Sequence, residues 1–288
     1  SQPKVRWNKV RKNIAPILQL FIPVLALSVF HIMDKTMLNM LSNDANSGYY
    51  YNADKLINIP LQLITGMSAV MLPRVANTLH TEGNGKVMEL LRKSAELTLF
   101  LTCAIAFGIG AISDSFVPFF FGNGYEPCIT LIKVFVPVLV IKALSDFIRT
   151  QYLIPTGKDK LYTIAVLGGA LSNVIVNYIM ILRCGALGAV IGTLVAESIV
   201  LVIQVIGVKD EFPLRKIIGT NGIYILFGII MFVMVMTLSM HISSSGIVKV
   251  GVLIITGALL YMIFCACYWR MNKKSIFNRY VTWRKNNG

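Results

Sequence analysis

Long uninterrupted apolar runs are the feature of this sequence that most limits its fold. Several exceed the ~18 residues that a helix needs to cross a hydrocarbon core of about 30 Å. Because a segment in that core must satisfy its own backbone hydrogen bonds, such a run predicts a transmembrane helix. Of the 288 residues, 56% are hydrophobic and 14% are charged, whereas about a quarter are charged in ordinary soluble domains. The sequence therefore predicts an all-α polytopic membrane protein and excludes a soluble globular domain.

The apolar windows predict eight transmembrane helices. They cover residues 14–33, 50–72, 95–113, 130–153, 162–182, 186–207, 219–240 and 246–268. The chain is accordingly divided into a basic segment (1–13), a six-helix unit (14–207), a linker (208–218), two further helices (219–268) and a basic tail (269–288).

The distribution of basic residues supports this number of spans. Twenty-one of the 27 lysines and arginines fall in the termini and in or at the edges of every second loop, as the positive-inside rule requires. The alternation predicts that both termini are cytoplasmic. The net charge of +14 is dispersed between apolar runs rather than gathered in one stripe, which argues against nucleic acid as a partner.

The predicted cytoplasmic connection 77–93 ends in an amphipathic pattern, and two interpretations stay open. It is either a helix that lies along the inner membrane surface or a solvated connector with anchoring cations.

Polar residues within the second predicted span recur at steps of three and four, which places them on one helix face. This stripe consists of Tyr51, Lys55, Asn58, Gln62 and Thr65. Ionisable groups in a bilayer are costly, by about 2.5–3.5 kcal/mol each, and normally face a bundle interior or a water-filled pathway. The stripe therefore predicts one wall of a polar cavity.

The fourth predicted span carries Lys142, Asp146 and Arg149 on one face. Asp146 can pair with either cation, which would leave the other free to meet an anion. Arginine binds phosphate through two parallel hydrogen bonds and lysine binds it as a point charge. This face predicts a site for an anionic group.

Further polar residues have competing interpretations. Asn173 and Asn177 lie one turn apart and either bind a ligand or join helices by hydrogen bonds. Asp34 and Asp54 lie near the predicted external side and are either functional or part of a solvated boundary. Glu197, deep in the sixth span, indicates function or internal pairing.

Two small-residue positions, Gly188 and Gly192, are four residues apart in the sixth span and predict close helix packing. Catalytic and metal motifs are not evident in the sequence. The segment Gly83–Lys86 lacks the remaining residues of a phosphate-binding loop, and the three histidines are scattered at span ends. We predict that the protein is not an enzyme and has neither catalytic residues nor a metal site.

Three segments resemble flippases for lipid-linked oligosaccharides of the Wzx type, in the multidrug/oligosaccharidyl-lipid/polysaccharide (MOP) exporter superfamily. The first runs from Gly48 to Leu56 and continues to Leu72, Pro73 and Arg74. The second is Ile148 to Pro155, which reads Ile-Arg-Thr-Gln-Tyr-Leu-Ile-Pro, and the third is Gly185 to Glu197. The similarity covers residues 5–207, whereas the last two spans match only in hydropathy.

The resemblance implies two six-helix lobes that alternate between inward-open and outward-open states around a cationic cavity. Residues 14–207 would be the second lobe and 219–268 an extra helix pair, so we expect a truncated product or part of a longer protein. The cargo would be an undecaprenyl-pyrophosphate-linked repeat unit for O-antigen or capsule synthesis in the bacterial plasma (inner) membrane. The implied driving force is an H⁺ or Na⁺ gradient with no bound cofactor, and the implied partners are membrane lipids, the polysaccharide polymerase and chain-length proteins.

On this hypothesis, two groups of site residues are predicted. Substrate contacts would come from Lys55, Lys142, Arg149, Asn58, Gln62, Tyr51, Asn173 and Asn177. Ion coupling or charge balance would come from Asp34, Asp54, Asp146 and Glu197. The alternatives are a multidrug/cation antiporter, which predicts an acidic aromatic cavity, and a membrane-bound polymerase or glycosyltransferase, which would need a large catalytic loop.

Overall fold

The computed structural model describes residues 32–212, 214–242 and 246–272, together with Phe21 and Ser28. Helices make up nearly all of this part of the chain, and no strand occurs in it. The helices are α1 (32–41), α2 (Asp44–Thr81), α3 (Asn84–Phe121), α4 (Pro127–Ile148), α5 (Asp159–Cys184), α6 (Ala186–Gly207), α7 (Leu214–Asn221), α8 (Ile223–His241) and α9 (Gly246–Met271). A π-helical segment, Arg149–Leu153, directly continues α4.

Seven helices in the described part are long and apolar enough to cross a membrane, and the predicted all-α polytopic membrane fold is confirmed. They correspond to the second through eighth predicted spans. The span predicted at 186–207 coincides with α6 (Ala186–Gly207). The first predicted span (14–33) and both terminal basic segments fall largely on residues outside the described ranges.

The helices α2 and α3 are each 38 residues long, which corresponds to about 57 Å at 1.5 Å per residue. They therefore extend well beyond a hydrocarbon core of about 30 Å. Only Glu82 and Gly83 separate them, and Gly83 has a φ of +78°, which glycine adopts without steric cost. The segment 77–93 consists of the end of α2, a turn and the start of α3, so its amphipathic residues belong to a long helix.

The pair α5 and α6 forms the most extensive helix contact in the described part. An added Cβ at Gly188 would lie 2.1 Å from the Met180 carbonyl oxygen, and one at Gly192 would lie 1.8 Å from Asn177 Oδ1. These two positions therefore have to be glycine for the helices to approach so closely, as the sequence predicts.

The helices α8 and α9 pack against each other and against α3. Buried polar contacts join all three helices: Tyr224 donates a hydrogen bond to Glu96 Oε1 (2.9 Å), and Trp269 Nε1 donates one to the Tyr224 hydroxyl (2.9 Å). The predicted linker 208–218 contains the start of α7 at Leu214, so it is not wholly a loop.

The connections that follow the π-helical segment and α6 meet at Glu211. Tyr152 donates a hydrogen bond of 3.1 Å to Glu211 Oε2, and Lys158 forms an ion pair with the same carboxylate. Hydrogen bonds from Lys158 and Tyr152 hold the pKa of the Glu211 carboxyl below its ordinary value. The Tyr152 ring also stacks on Phe212 with a centroid distance of 4.7 Å. These contacts fix the end of the segment that begins with Arg149.

Candidate binding cavity

Two adjoining polar cavities lie between α1, α2, α4, α5 and α6. The large polar cavity, of about 450 Å³, extends from Asp34 to Lys142, and the small polar cavity, of about 200 Å³, extends from Lys142 to Arg149. Asn58 and Lys142 line both, so the two cavities meet at these residues. Together they form a polar region within helices that are long enough to span a membrane.

The polar stripe of α2 faces these cavities, as its spacing indicates. Tyr51, Lys55 and Gln62 line the large polar cavity, Thr65 lines the small one, and Asn58 lies at the junction. Asn58 Nδ2 also donates a hydrogen bond of 2.6 Å to Asp54 Oδ1. Its amide is thus held by the preceding turn of the same helix.

Lys142 has a different partner from the one its sequence position indicates. Its Nζ lies 3.5 Å from Glu197 Oε1 on α6, and the two side chains are only 17% and 8% exposed. Asp146 forms its ion pair with Arg149. The expectation that Asp146 leaves one of the two cations free is therefore wrong, because a second carboxylate arrives from a neighbouring helix.

Arg149 is the first residue of the π-helical segment, where the backbone N–H of Ile154 bonds to the Arg149 carbonyl at 3.0 Å. Such π-turns are rare and often occur at functional sites. The guanidinium lies over the Tyr162 ring, 5.5 Å from its centroid, and is paired with Asp146. An acid and an aromatic face therefore orient this cation at the edge of the small polar cavity.

Asp34 is the acceptor of a buried hydrogen-bond cluster. Its Oδ2 accepts from Tyr50 and Thr193, both at 2.9 Å, and its Oδ1 accepts from the amides of Asn173 (2.8 Å) and Asn177 (2.6 Å). Asp34 is 4% exposed, so the interpretation as a solvated external boundary is wrong. Donors from α2, α5 and α6 all converge on this one carboxylate.

The two asparagines predicted to contact substrate belong to this cluster. Asn173 and Asn177 are fully buried and are absent from the linings of both polar cavities. Asn177 Oδ1 has no hydrogen-bond donor within the described part of the chain. One buried oxygen next to the Asp34 carboxylate is therefore unsatisfied.

Charges of opposite sign balance along the two polar cavities. The lining contains Lys35, Lys55, Lys142, Arg149, Asp34, Asp54, Asp146 and Glu197. Three pairs account for most of them, because Lys35 lies 3.1 Å from Asp54 and the other two pairs are described above. Lys55 is exposed to the large polar cavity and has no carboxylate partner among the described residues. The accessible unpaired charge is thus a cation, since Asp34 is enclosed by donors.

Sequence reasoning missed four residues of this region: Lys35, Tyr50, Tyr162 and Thr193. The hydropathy pattern predicts that Lys35 lies in a loop, but it lines the large polar cavity beside Asp54. Tyr50 and Thr193 gain significance only through Asp34, which is distant in sequence. The one available signal was that Thr193 shares a helix face with Glu197.

A third cavity, the apolar groove, lies between α3, α8 and α9 and has a volume of about 720 Å³. Its lining is nearly all hydrocarbon and includes Gly108, Met231, Ala258 and Trp269. Several apolar side chains on α8 and α9 are exposed beside it. This chemistry suits an aliphatic chain rather than a polar ligand.

Comparisons with known proteins agree with this arrangement. Residues 1–130 match a family model described as "Polysaccharide biosynthesis protein". No curated protein matches the chain. The fold resembles that of the lipid II flippase MurJ in an inward closed conformation, with a TM-score of 0.70, 20% identity and coverage of 90% of this chain and 55% of that one.

A second solved structure is an outward-facing multidrug resistance MATE family transporter of the MOP superfamily. It has a TM-score of 0.58, 16% identity and coverage of 86% of this chain and 62% of that one. The chain thus spans less than two thirds of the length of either solved structure.

Proposed function

We propose that this chain takes part in flipping undecaprenyl-pyrophosphate-linked oligosaccharide repeat units across the bacterial plasma membrane, for O-antigen or capsular polysaccharide synthesis. The match of residues 1–130 to a polysaccharide biosynthesis family supports this cargo. The similarity of fold to a lipid II flippase supports translocation rather than chemistry.

The observation that carries the proposal is the unpaired Lys55 in a polar cavity between apolar helices. An ionised group within a membrane span is costly, and an anion in the cavity would offset that cost for Lys55. A pyrophosphate at the large polar cavity would neutralise Lys55, while Lys142 and Arg149 lie further along the same path. Amide groups of Asn58 and Gln62 would bond to sugar hydroxyls or phosphate oxygens.

The apolar groove supports an amphiphilic cargo. A lipid-linked glycan needs a polar route for its head and an apolar environment for its tail. The helices α8 and α9, which form two sides of the groove, would thus be more than lipid-facing scaffold. We assign the polyprenyl chain to this groove.

The Asp34 cluster is our candidate for ion coupling. A carboxylate, the unsatisfied Asn177 Oδ1 and the hydroxyl of Thr193 provide oxygens of the kind that bind H⁺ or Na⁺. The cluster joins α1, α2, α5 and α6, so a change in its occupancy would alter the packing of the helices around the large polar cavity. Asp54, Asp146 and Glu197 act in charge balance, since each is paired with a cation.

Alternating access would need a second lobe that moves against this one. We assign that role to the part of a complete transporter that has no counterpart in this chain. On this proposal residues 14–207 form one lobe, the linker and the basic termini lie on the cytoplasmic side, and the polysaccharide polymerase receives the flipped unit.

The test is an in-frame deletion of the whole gene in its native host. We expect lipid-linked repeat units to accumulate in the cytoplasmic leaflet and surface polysaccharide to disappear, with both restored by the complete gene. An unchanged polysaccharide together with increased sensitivity to cationic drugs would contradict the proposal and favour the multidrug antiporter.

A further inference from the structure

A third polar cavity, the outer cavity, lies beyond the large polar cavity at the α1–α2 end of the molecule. It has a volume of about 280 Å³ and is lined by Lys35, Leu38, Asn39, Ser47, Gly48, Tyr51 and Asn52. The positive-inside pattern places the turn between α1 and α2 on the external side. The outer cavity is therefore at the predicted exit.

Two residues, Lys35 and Tyr51, line both the outer and the large polar cavity. Lys35 Nζ lies 4.7 Å from the Tyr51 ring centroid and 3.1 Å from Asp54 Oδ2. Because the same two side chains border both spaces, they form the partition between them. The cavities are thus neighbours separated by one layer of side chains.

The polar groups of the outer cavity are free to bind a ligand. Asn39 and Asn52 make no side-chain hydrogen bond within the described ranges, and each amide can both donate and accept. The Ser47 hydroxyl donates to the Asn43 carbonyl at 3.2 Å, which leaves its oxygen as an acceptor. Gly48 forms part of the wall, and an added Cβ there would meet nothing within 4 Å.

The charge of the outer cavity favours a neutral ligand. Its one cation, Lys35, is already paired with Asp54, and the residues that line it include no carboxylate. Mixed donors and acceptors beside an aromatic ring suit a hydroxyl-rich molecule, whereas an anion would need an unpaired cation. The chemistry thus differs from that of the large polar cavity, where Lys55 is unpaired.

We infer that the outer cavity is a second carbohydrate-binding position, occupied by sugars of the cargo after they pass the Lys35–Tyr51 partition. This inference rests on the proposed function and adds to it a path with two binding positions, the large polar cavity and the outer cavity. The pyrophosphate would still be at the large polar cavity while the leading sugars occupy the outer one. Asn39, Ser47 and Asn52 would provide the hydrogen bonds.

The test uses the complete protein in nanodiscs and two probes: the native lipid-linked repeat unit and the free oligosaccharide released from it. Gly48→Phe fills the outer cavity, and Gly66→Phe on the same helix is the matched control, because an added Cβ at Gly66 also meets nothing within 4 Å and Gly66 lines none of the cavities described. Asn52→Ala is a second variant that removes an amide without adding bulk.

We expect Gly48→Phe, which fills the space, and Asn52→Ala, which removes an amide, each to weaken binding of the free oligosaccharide about tenfold, or ~1.4 kcal/mol. Gly66→Phe should bind it like the unmodified protein. All three should still bind the lipid-linked unit through the pyrophosphate. Equal free-oligosaccharide binding by all variants would overturn the inference while leaving the proposed function intact, whereas an unmodified protein that neither binds nor flips the lipid-linked unit would contradict both.

Discussion

Lys142 on α4 and Glu197 on α6 form an ion pair across the floor of the small polar cavity, with Nζ and Oε1 3.5 Å apart. Neither residue is near the other in sequence, and both side chains are largely buried. The pair therefore links α4 to α6, and it keeps Glu197 from being an uncompensated charge in a membrane-spanning helix. An anion in the cavity would therefore compete with Glu197 for Lys142.

Replacing one partner of this pair should destabilise the protein more than replacing both partners. Lys142→Met alone, or Glu197→Gln alone, leaves a mostly buried partner and should lower the free energy of unfolding by about 3–5 kcal/mol. The double variant should recover most of that loss. Thermal unfolding in detergent measures the effect, and the exposed pair Lys133–Asp114 is the control, with an expected loss of about 0–1 kcal/mol. Additive losses in the double variant would show that the pair does not form.

The Asp34 cluster predicts a loss of coupling when its charge is removed. Asp34→Asn replaces the carboxylate by a neutral amide of nearly the same size, which cannot take up H⁺ and offers no negative charge to Na⁺. Gradient-driven flipping by the complete protein should fall about tenfold or more, equivalent to ~1.4 kcal/mol of lost binding free energy for the ion. Asp114→Asn, at a part-exposed position, should have no such effect. Equal dependence on the gradient in both variants would exclude Asp34 from coupling.

Gly192 should tolerate no side chain. A Cβ there would lie 1.8 Å from Asn177 Oδ1, so Gly192→Ala must separate α5 from α6 and displace an asparagine that bonds to Asp34. We expect the free energy of unfolding to fall by about 1–3 kcal/mol, as for other overpacked cores. Gly66→Ala, where the Cβ meets nothing within 4 Å, should be neutral or stabilising. Equal melting temperatures for the two variants would contradict the described α5–α6 contact.

The apolar groove predicts sensitivity to bulk at Ala258. This exposed residue lines the groove on α9, and Ala258→Phe should occupy part of the space assigned to the polyprenyl chain. Flipping should drop severalfold without loss of membrane insertion, because the larger side chain would exclude part of the polyprenyl chain from the groove. The control is Leu259→Phe, which is exposed on the same helix and does not line the groove. Equal flipping rates would argue that the tail does not use this groove.

Helix positions could be predicted from the sequence, whereas the ends of the long helices α2 and α3 could not. Hydropathy reports the part of a helix that lies in lipid, but the backbone hydrogen bonds of α2 continue to Thr81, past the predicted end at residue 72. The same periodicity placed Lys55, Asn58 and Gln62 on one face, and all three line the polar cavities.

Contacts between helices that are distant in sequence could not be predicted from sequence patterns. Asp34 is separated from Asn173 and Thr193 by 139 and 159 residues, and no local signal links them. The Lys142–Glu197 pair was missed for the same reason, since i, i+4 spacing pointed only to Asp146 on the same helix. Periodicity determines which face is polar but not which helix that face meets.

We propose that the polar cavities bind the anionic head of a lipid-linked glycan, and a charge-removing substitution at Arg149 is the sharpest test of this claim. The measurement is the amount of surface polysaccharide, together with the leaflet distribution of lipid-linked repeat units, in cells whose complete gene carries Arg149→Gln. Membrane levels of the protein and the variant Arg149→Lys, which keeps the charge but not the bidentate geometry, are measured alongside. We expect Arg149→Gln to insert normally and to abolish the polysaccharide, with repeat units retained in the cytoplasmic leaflet and an intermediate effect for Arg149→Lys. Normal polysaccharide in the Arg149→Gln cells would contradict the claim.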